Sequence, residues 1–284
     1  MKNILAVIGD GSARPVLEAA LMVARRFDSH IVGLHSLTTE YAVVFGGEMG
    51  FSISSEVDRT LEREGHDRRD QARRLFRDFM NAAGVPVGAL APGQQGPSAS
   101  WREEDGRQNA VVGLNGRVYD LVLVEQPEKL ASIAEATLED AVFESGRPVM
   151  MVPKVNGPHL GDVIAVAWNG STETGTTVAL AMPFLKQAKQ VVVISVGAQH
   201  MPEPGPSGED LARNLERHGL NVSLRTAIGR QKPQGESFMR EAMQAGADLM
   251  LKGAYTQSRI RQMIFGGATR HIIMESPIPV IMAR

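Results

Sequence analysis

Val163–Ser171 reads VIAVAWNGS, and Ile4–Ser12 reads ILAVIGDGS. Each is an apolar run that closes on Asp/Asn-Gly-Ser, and the two open the two halves of a 284-residue chain. The correspondence continues downstream. A helical stretch spans Val16–Arg26 in one half and Thr177–Lys186 in the other, and a second apolar run comes next at His30–Leu34 and Gln190–Val196. Near the ends of the halves DLVLV (120–124) answers DLMLK (248–252), and RPVMMV (147–152) answers IPVIMA (278–283). Strand, Gly-Ser turn, helix and closing strand recur in one order, which marks an internal repeat rather than a general likeness of α/β segments.

Strands that are nearly all apolar and alternate with helices form a parallel sheet covered on both faces. The predicted fold class is therefore α/β, with two doubly wound, mainly parallel five-stranded sheets. One domain spans 1–154, the other 160–284, and Lys154–His159 links them. The third strands are expected at Ala99–Glu103 and Val222–Ile228, with a long helix at Glu56–Asn81 and a shorter one at Glu209–His218. The closing strands, Pro148–Val152 and Pro279–Ala283, are apolar at a sheet edge. Such an edge invites pairing, so the halves are expected to join there as an internal pseudo-dimer.

Composition narrows the function. Hydrophobic content of 43% and charged content of 22% are those of an ordinary globular protein. A net charge of -2 gives no signal for nucleic acid. The absence of cysteine excludes disulfides, thiolate metal sites and cysteine nucleophiles. The short apolar run before Gly9 is neither a secretory signal nor a membrane span, so a cytoplasmic protein without a membrane partner is expected. The histidines are scattered, with His35 and His271 expected at a sheet edge and on the surface. Arg69, Arg73, Arg74 and Arg77 interleave with Asp67, Asp70 and Asp78, which reads as a solvated helix face. Gly9-Asp10-Gly11-Ser12 fits neither a P-loop nor a nucleophile elbow.

In a parallel α/β sheet, ligands sit beyond the carboxyl ends of the strands. Two loops of the second half lie there. In Trp168-Asn169-Gly170-Ser171, Ser171 suits a helix N-cap, and Asn169 tolerates a left-handed backbone or serves to pair with a base or sugar edge. In the second loop, Gly266-Gly267 precedes a short helix, Ala268-Thr269-Arg270-His271-Ile272-Ile273. Glycines before a helix let main-chain N–H groups converge where the helix carries partial positive charge, which suits a phosphate. Thr269 adds a hydroxyl, and Gly253 at the strand end lets a ligand approach the backbone.

Taken together, Gly253, Thr256, Gly266, Gly267, Ala268 and Thr269 resemble the loop of the universal stress protein family. Its ATP-binding members carry Gly, two residues, Gly, nine residues, Gly and Ser or Thr. Gly253 and Gly266 fill the first and third glycine places, Thr256 replaces the second glycine, and Gly267 replaces the hydroxyl residue. Asn169 stands where the family has an acidic residue, and Trp168 is bulkier than the usual neighbour. The resemblance covers essentially the whole chain as two fused copies, the tandem type. It implies an adenine nucleotide alpha hydrolase-like fold, a stress-response role, and an adenine nucleotide (ATP, ADP or AMP, with or without Mg). Trp168, Asn169 and the strand end near Val196 would hold the adenosine.

The first half reads Glu125-Gln126-Pro127-Glu128 and Glu135-Ala136-Thr137-Leu138-Glu139-Asp140 where the second half has its glycines. These acids would repel a triphosphate, so the 1–154 domain is expected to be degenerate. No general base or nucleophile is evident, so at most slow ATP hydrolysis is expected, with an unidentified protein partner and a homodimer as further options. The rival reading is a nucleotide-free interaction or scaffold protein with both sites decayed. A weaker one is a hydrolase or adenylating enzyme using Lys252, Ser258 or Arg259.

Overall fold

The computed structural model describes residues 1–9, 13–37, 55–88, 96–129, 132–196, 205–227, 234–254 and 267–284, without the side chains of residues 37, 55–64, 196 and 267. The first half runs β1 (Asn3–Val7), α1 (Ala13–Phe27), β2 (His30–Leu37), α2 (Ser55–Ala82), β3 (Ser98–Asp105), α3 (Gln108–Asn115), β4 (Leu121–Glu125), α4 (Ile133–Glu144) and β5 (Val149–Val152). The second half runs β6 (Val163–Trp168), α5 (Thr172–Leu180), α6 (Met182–Leu185), β7 (Gln190–Val196), α7 (Gly208–Arg217), β8 (Val222–Ala227), α8 (Gln234–Gln244), β9 (Leu249–Gly253), α9 (Gly267–Glu275) and β10 (Val280–Ala283).

All ten strands form one sheet in the order β3-β2-β1-β4-β5-β10-β9-β6-β7-β8. Within each half the strands are parallel. The halves meet through β5 and β10, which run antiparallel with Val280 opposite Met151, Ile281 opposite Met150 and Met282 opposite Val149. The two expected five-stranded sheets are thus halves of one continuous sheet, joined by their closing strands.

Apolar residues alternate between the faces of this sheet. Ile4, Leu121, Met150, Ile164, Leu251 and Ile281 share one core with α1, α2, α5, α6 and α7. Leu5, Val122, Met151, Ala165, Met250 and Met282 share the other with α3, α4, α8 and α9. Burying one such side chain contributes about 1.5–3 kcal/mol, and two covered faces explain why the inner strands carry hardly a polar residue.

Several expectations change. The single helix foreseen over Thr177–Lys186 is two: α5 starts directly after Ser171 and stops at Leu180, and Pro183, in the first turn of α6, has no N–H to continue it. Helices α3 and α8 were not foreseen. His35 is buried rather than at a sheet edge, with Nδ1 2.8 Å from the Ile8 carbonyl, and its ring stacks on Trp101. His271 is half-buried. The arginine row of α2 is not wholly solvated, because Arg73 forks onto Glu103 of β3 at 2.6 and 2.8 Å while Trp101 Nε1 donates to the same carboxylate.

A strap ties the halves between β5 and β6. The Arg26 guanidinium, at the end of α1, donates to the carbonyls of Leu160 (2.9 Å), Gly161 (2.9 Å) and Gln187 (2.7 Å). The Asp248 carboxylate accepts from the main-chain N–H groups of Gly161 and Asp162 at 2.7 and 3.1 Å.

Candidate functional site

Strands β6 and β9 are neighbours, with Ile164 opposite Leu249 and Val166 opposite Leu251. From β6 the chain passes to α5 on one face, and the helix after β9, α9, packs on the other. The crevice beyond these two strand ends is the switch point of the second half, where an open α/β sheet takes its ligand.

The β6–α5 turn is built around α5. Ser171 caps the helix, its hydroxyl accepting from the Thr174 N–H at 3.3 Å. Asn169 is buried, and its Oδ1 accepts from the Thr174 hydroxyl at 2.7 Å and the Ser171 N–H at 3.3 Å. Among the described residues no acceptor is found for its amide nitrogen, which is the side left to donate. The left-handed position expected at Asn169 falls instead on Gly170, at φ +78, where the missing Cβ removes the steric cost.

Trp168 is also placed differently from a group facing adenosine. Its indole lies in the core, 5% exposed, and its N–H donates to the Pro206 carbonyl at 2.8 Å. The chain before α7 is thereby pinned over the turn, so closely that a Cβ on Gly205 would strike the Gly170 carbonyl.

At the end of β9, Gly253 is fully packed. A Cβ there would meet the main-chain nitrogen of Thr174 and lie 2.5 Å from its hydroxyl. Here the glycine is required by the first turn of α5, rather than by a ligand as expected from the sequence. The consequence for the site is that the N-terminus of α5 sits directly on the end of β9. Helix α9 starts at Gly267, with Ala268 half-buried and Thr269 buried in its first turn. Val196 ends β7, two strands from β9, and its side chain lies outside the described residues, as do Thr256 and Gly266 entirely.

Lys252, which sequence reasoning kept out of the nucleotide site and named only as a candidate for the weaker hydrolase or adenylating reading, stands at the end of β9. It is 3% exposed, and its Nζ donates to the Gly253 carbonyl at 3.1 Å. Burial pushes its ammonium down to about 8, against the pull of the Glu173 carboxylate in the first turn of α5. Its signal in the sequence was a lysine in an otherwise apolar strand whose first-half counterpart holds Val124 at the same place.

Among solved structures, a universal stress protein from Archaeoglobus fulgidus DSM 4304 superposes with a TM-score of 0.69 at 18% identity, covering 99% of this chain and 96% of that one. The chain has a tandem universal stress protein fold. A provisionally named universal stress protein from Pseudomonas aeruginosa UCBPP-PA14 covers 100% of this chain and 93% of its own at a TM-score of 0.55 and 16% identity. In sequence, a universal stress protein from Synechocystis sp. (strain ATCC 27184 / PCC 6803 / Kazusa) is 22% identical over 172 residues. That match spans 58% of this chain and 58% of that relative's length. No family model matches the chain.

The two repeats differ in the charge they place at their strand ends. In the first, β4 closes with Glu125, and a cavity of about 410 Å³ beside it is lined by Glu125, Glu128, Lys129, Ser132 and Lys154. Burial, with Glu135 and Asp140 close by, pushes the Glu139 carboxyl up. The second repeat puts the N-terminus of α5 and a buried ammonium at the matching place. Among the described residues, no helix is long and apolar enough to cross a membrane, and no group of three His, Asp or Glu side chains stands ready for a metal ion.

Proposed function

We propose that this chain is a stress-response regulatory protein that binds one adenine nucleotide in its second repeat and senses rather than transforms it. The observation that carries the reading is the seat of the α5 N-terminus on the end of β9, at the crevice beyond β6 and β9. Main-chain N–H groups and partial positive charge favour an anion there. Asn169, with its amide nitrogen to donate, lies beside the same crevice and suits a sugar or base edge. The first repeat presents carboxylates at the equivalent strand ends, so it is assigned a structural or docking part.

Calorimetric titration of the full chain with ATP, ADP and AMP tests this. The reading expects about one nucleotide per chain; two sites per chain would overturn the assignment of the first repeat. The close packing of Gly205 on Gly170, and the Trp168 bond to Pro206, favour the second reading, a nucleotide-free scaffold. Absence of binding for all three nucleotides selects it.

A further inference from the structure

Lys252 is a buried cation with few partners among the described residues. An ammonium has three donors, and among the described residues one hydrogen bond, to the Gly253 carbonyl, is found for it, with no carboxylate within ion-pair distance. Glu173 is the charged group that faces it. Taking an ammonium out of water without a close counter-charge costs several kcal/mol. Val124 holds the equivalent strand position in the first repeat without any such cost, and it is also buried. The cation is therefore dispensable for the strand, and its chemistry points to a ligand.

We propose that Lys252 supplies the positive charge for the phosphates of the bound nucleotide, its ammonium exchanging part of its contact with the Gly253 carbonyl for a phosphate oxygen beyond the ends of β6 and β9. This rests on the nucleotide reading above. Lysine binds phosphate as a point charge on a flexible stem, and the Gly253 carbonyl holds that charge at the strand ends, beside the first turn of α5. Because the ammonium titrates near 8, it is largely protonated at neutral pH and meets an anion already charged. The assignment also accounts for the departures in the loop. Gly267 removes a hydroxyl from the phosphate side, and Lys252 adds an ionic donor to it.

The test is calorimetric titration of the full chain and of Lys252→Met with ATP, AMP and adenosine. In the wild type, affinity should fall from ATP to adenosine. A charge-assisted contact of the usual strength predicts that Lys252→Met loses ATP affinity about tenfold or more, while adenosine affinity stays within about twofold. Lys252→Gln serves the same comparison if the methionine variant does not fold. Unchanged ATP affinity in a variant that binds adenosine normally overturns the proposal and leaves the nucleotide site standing. Equal loss of ATP and adenosine in a folded variant also overturns it, assigning Lys252 to the frame of the site. A wild-type chain that binds neither ATP nor adenosine overturns this proposal and the nucleotide reading together.

Discussion

Phe27 and Phe184 meet edge to face, with ring centroids 4.8 Å apart and planes at 78°. Phe27 closes α1 in the first repeat, and Phe184 lies in α6 of the second. The pair bolts the two halves together on the helical layer, as β5 and β10 do within the sheet. Truncating either ring to alanine should cost about 3–5 kcal/mol. A double-mutant cycle by urea unfolding should show a coupling of about 0.5–1.5 kcal/mol; additive losses would mean that each ring serves only its own repeat.

Arg26 is the polar counterpart of that bolt. Replacing it with methionine keeps the stem but strands the carbonyls of Leu160, Gly161 and Gln187. The expected loss is about 2–4 kcal/mol, given the usual worth of charged hydrogen bonds. Arg26→Lys should recover only part of it, since an ammonium cannot match the guanidinium fork. Equal stability of Arg26→Met and the wild type in chemical denaturation would remove the strap from the account of how the halves are held.

Gly253→Ala places a methyl group against the backbone of α5 at Thr174. Backbone cannot swing aside as a side chain can, so α5 must shift, at about 1–3 kcal/mol. Thermal unfolding reads the loss. A variant as stable as the wild type would show that the close approach of α5 to β9 is not needed.

For Lys252 the effect of pH has a definite sign. In the unfolded chain a lysine titrates near about 10.4, whereas in the folded chain burial brings this one down to about 8 despite Glu173. Below the folded value both states hold the proton, and the fold bears a penalty of about 3 kcal/mol. Between the two values the unfolded state binds more protons, so stability rises with pH through that window. Lys252→Met should therefore be more stable than the wild type at pH 7, by up to about 3 kcal/mol, with the difference shrinking toward about pH 10. A methionine variant less stable at pH 7 in denaturant titrations would contradict the penalty assigned to the buried ammonium.

The inner strands were legible because burial on both faces leaves a plain apolar run, as in Val163–Trp168 and Leu121–Glu125. The edge strands were harder. β3 carries Arg102, Glu103 and Glu104, and its register with β2 extends two residues beyond the Glu103 end foreseen for it. Helix α8 escaped notice because its buried set, including Phe238, Met239 and Ala242, is short and its first turn holds Gly235. In the site, Ser171 was legible as a helix cap, while the left-handed turn position fell one residue beyond Asn169. Orientation was not legible, since nothing local tells that Trp168 turns into the core or that α5 fills the space over Gly253. Lys252 was legible as a candidate of the hydrolase reading, and its place as one cation in an otherwise apolar strand stands out only against Val124.

The antiparallel ladder of β5 and β10 reverses direction halfway across the sheet. As a result, the carboxyl ends of the first repeat's strands lie on one rim of the molecule and those of the second repeat on the opposite rim. On the reading proposed above, a protein docked at the acidic rim and a small anion held at the other would occupy the chain together without touching. Any influence of one on the other then has to cross the contacts between the halves, among them the three residue pairs of that ladder, the strap and the bolted helices, and its size is limited to how differently those contacts pack in two states.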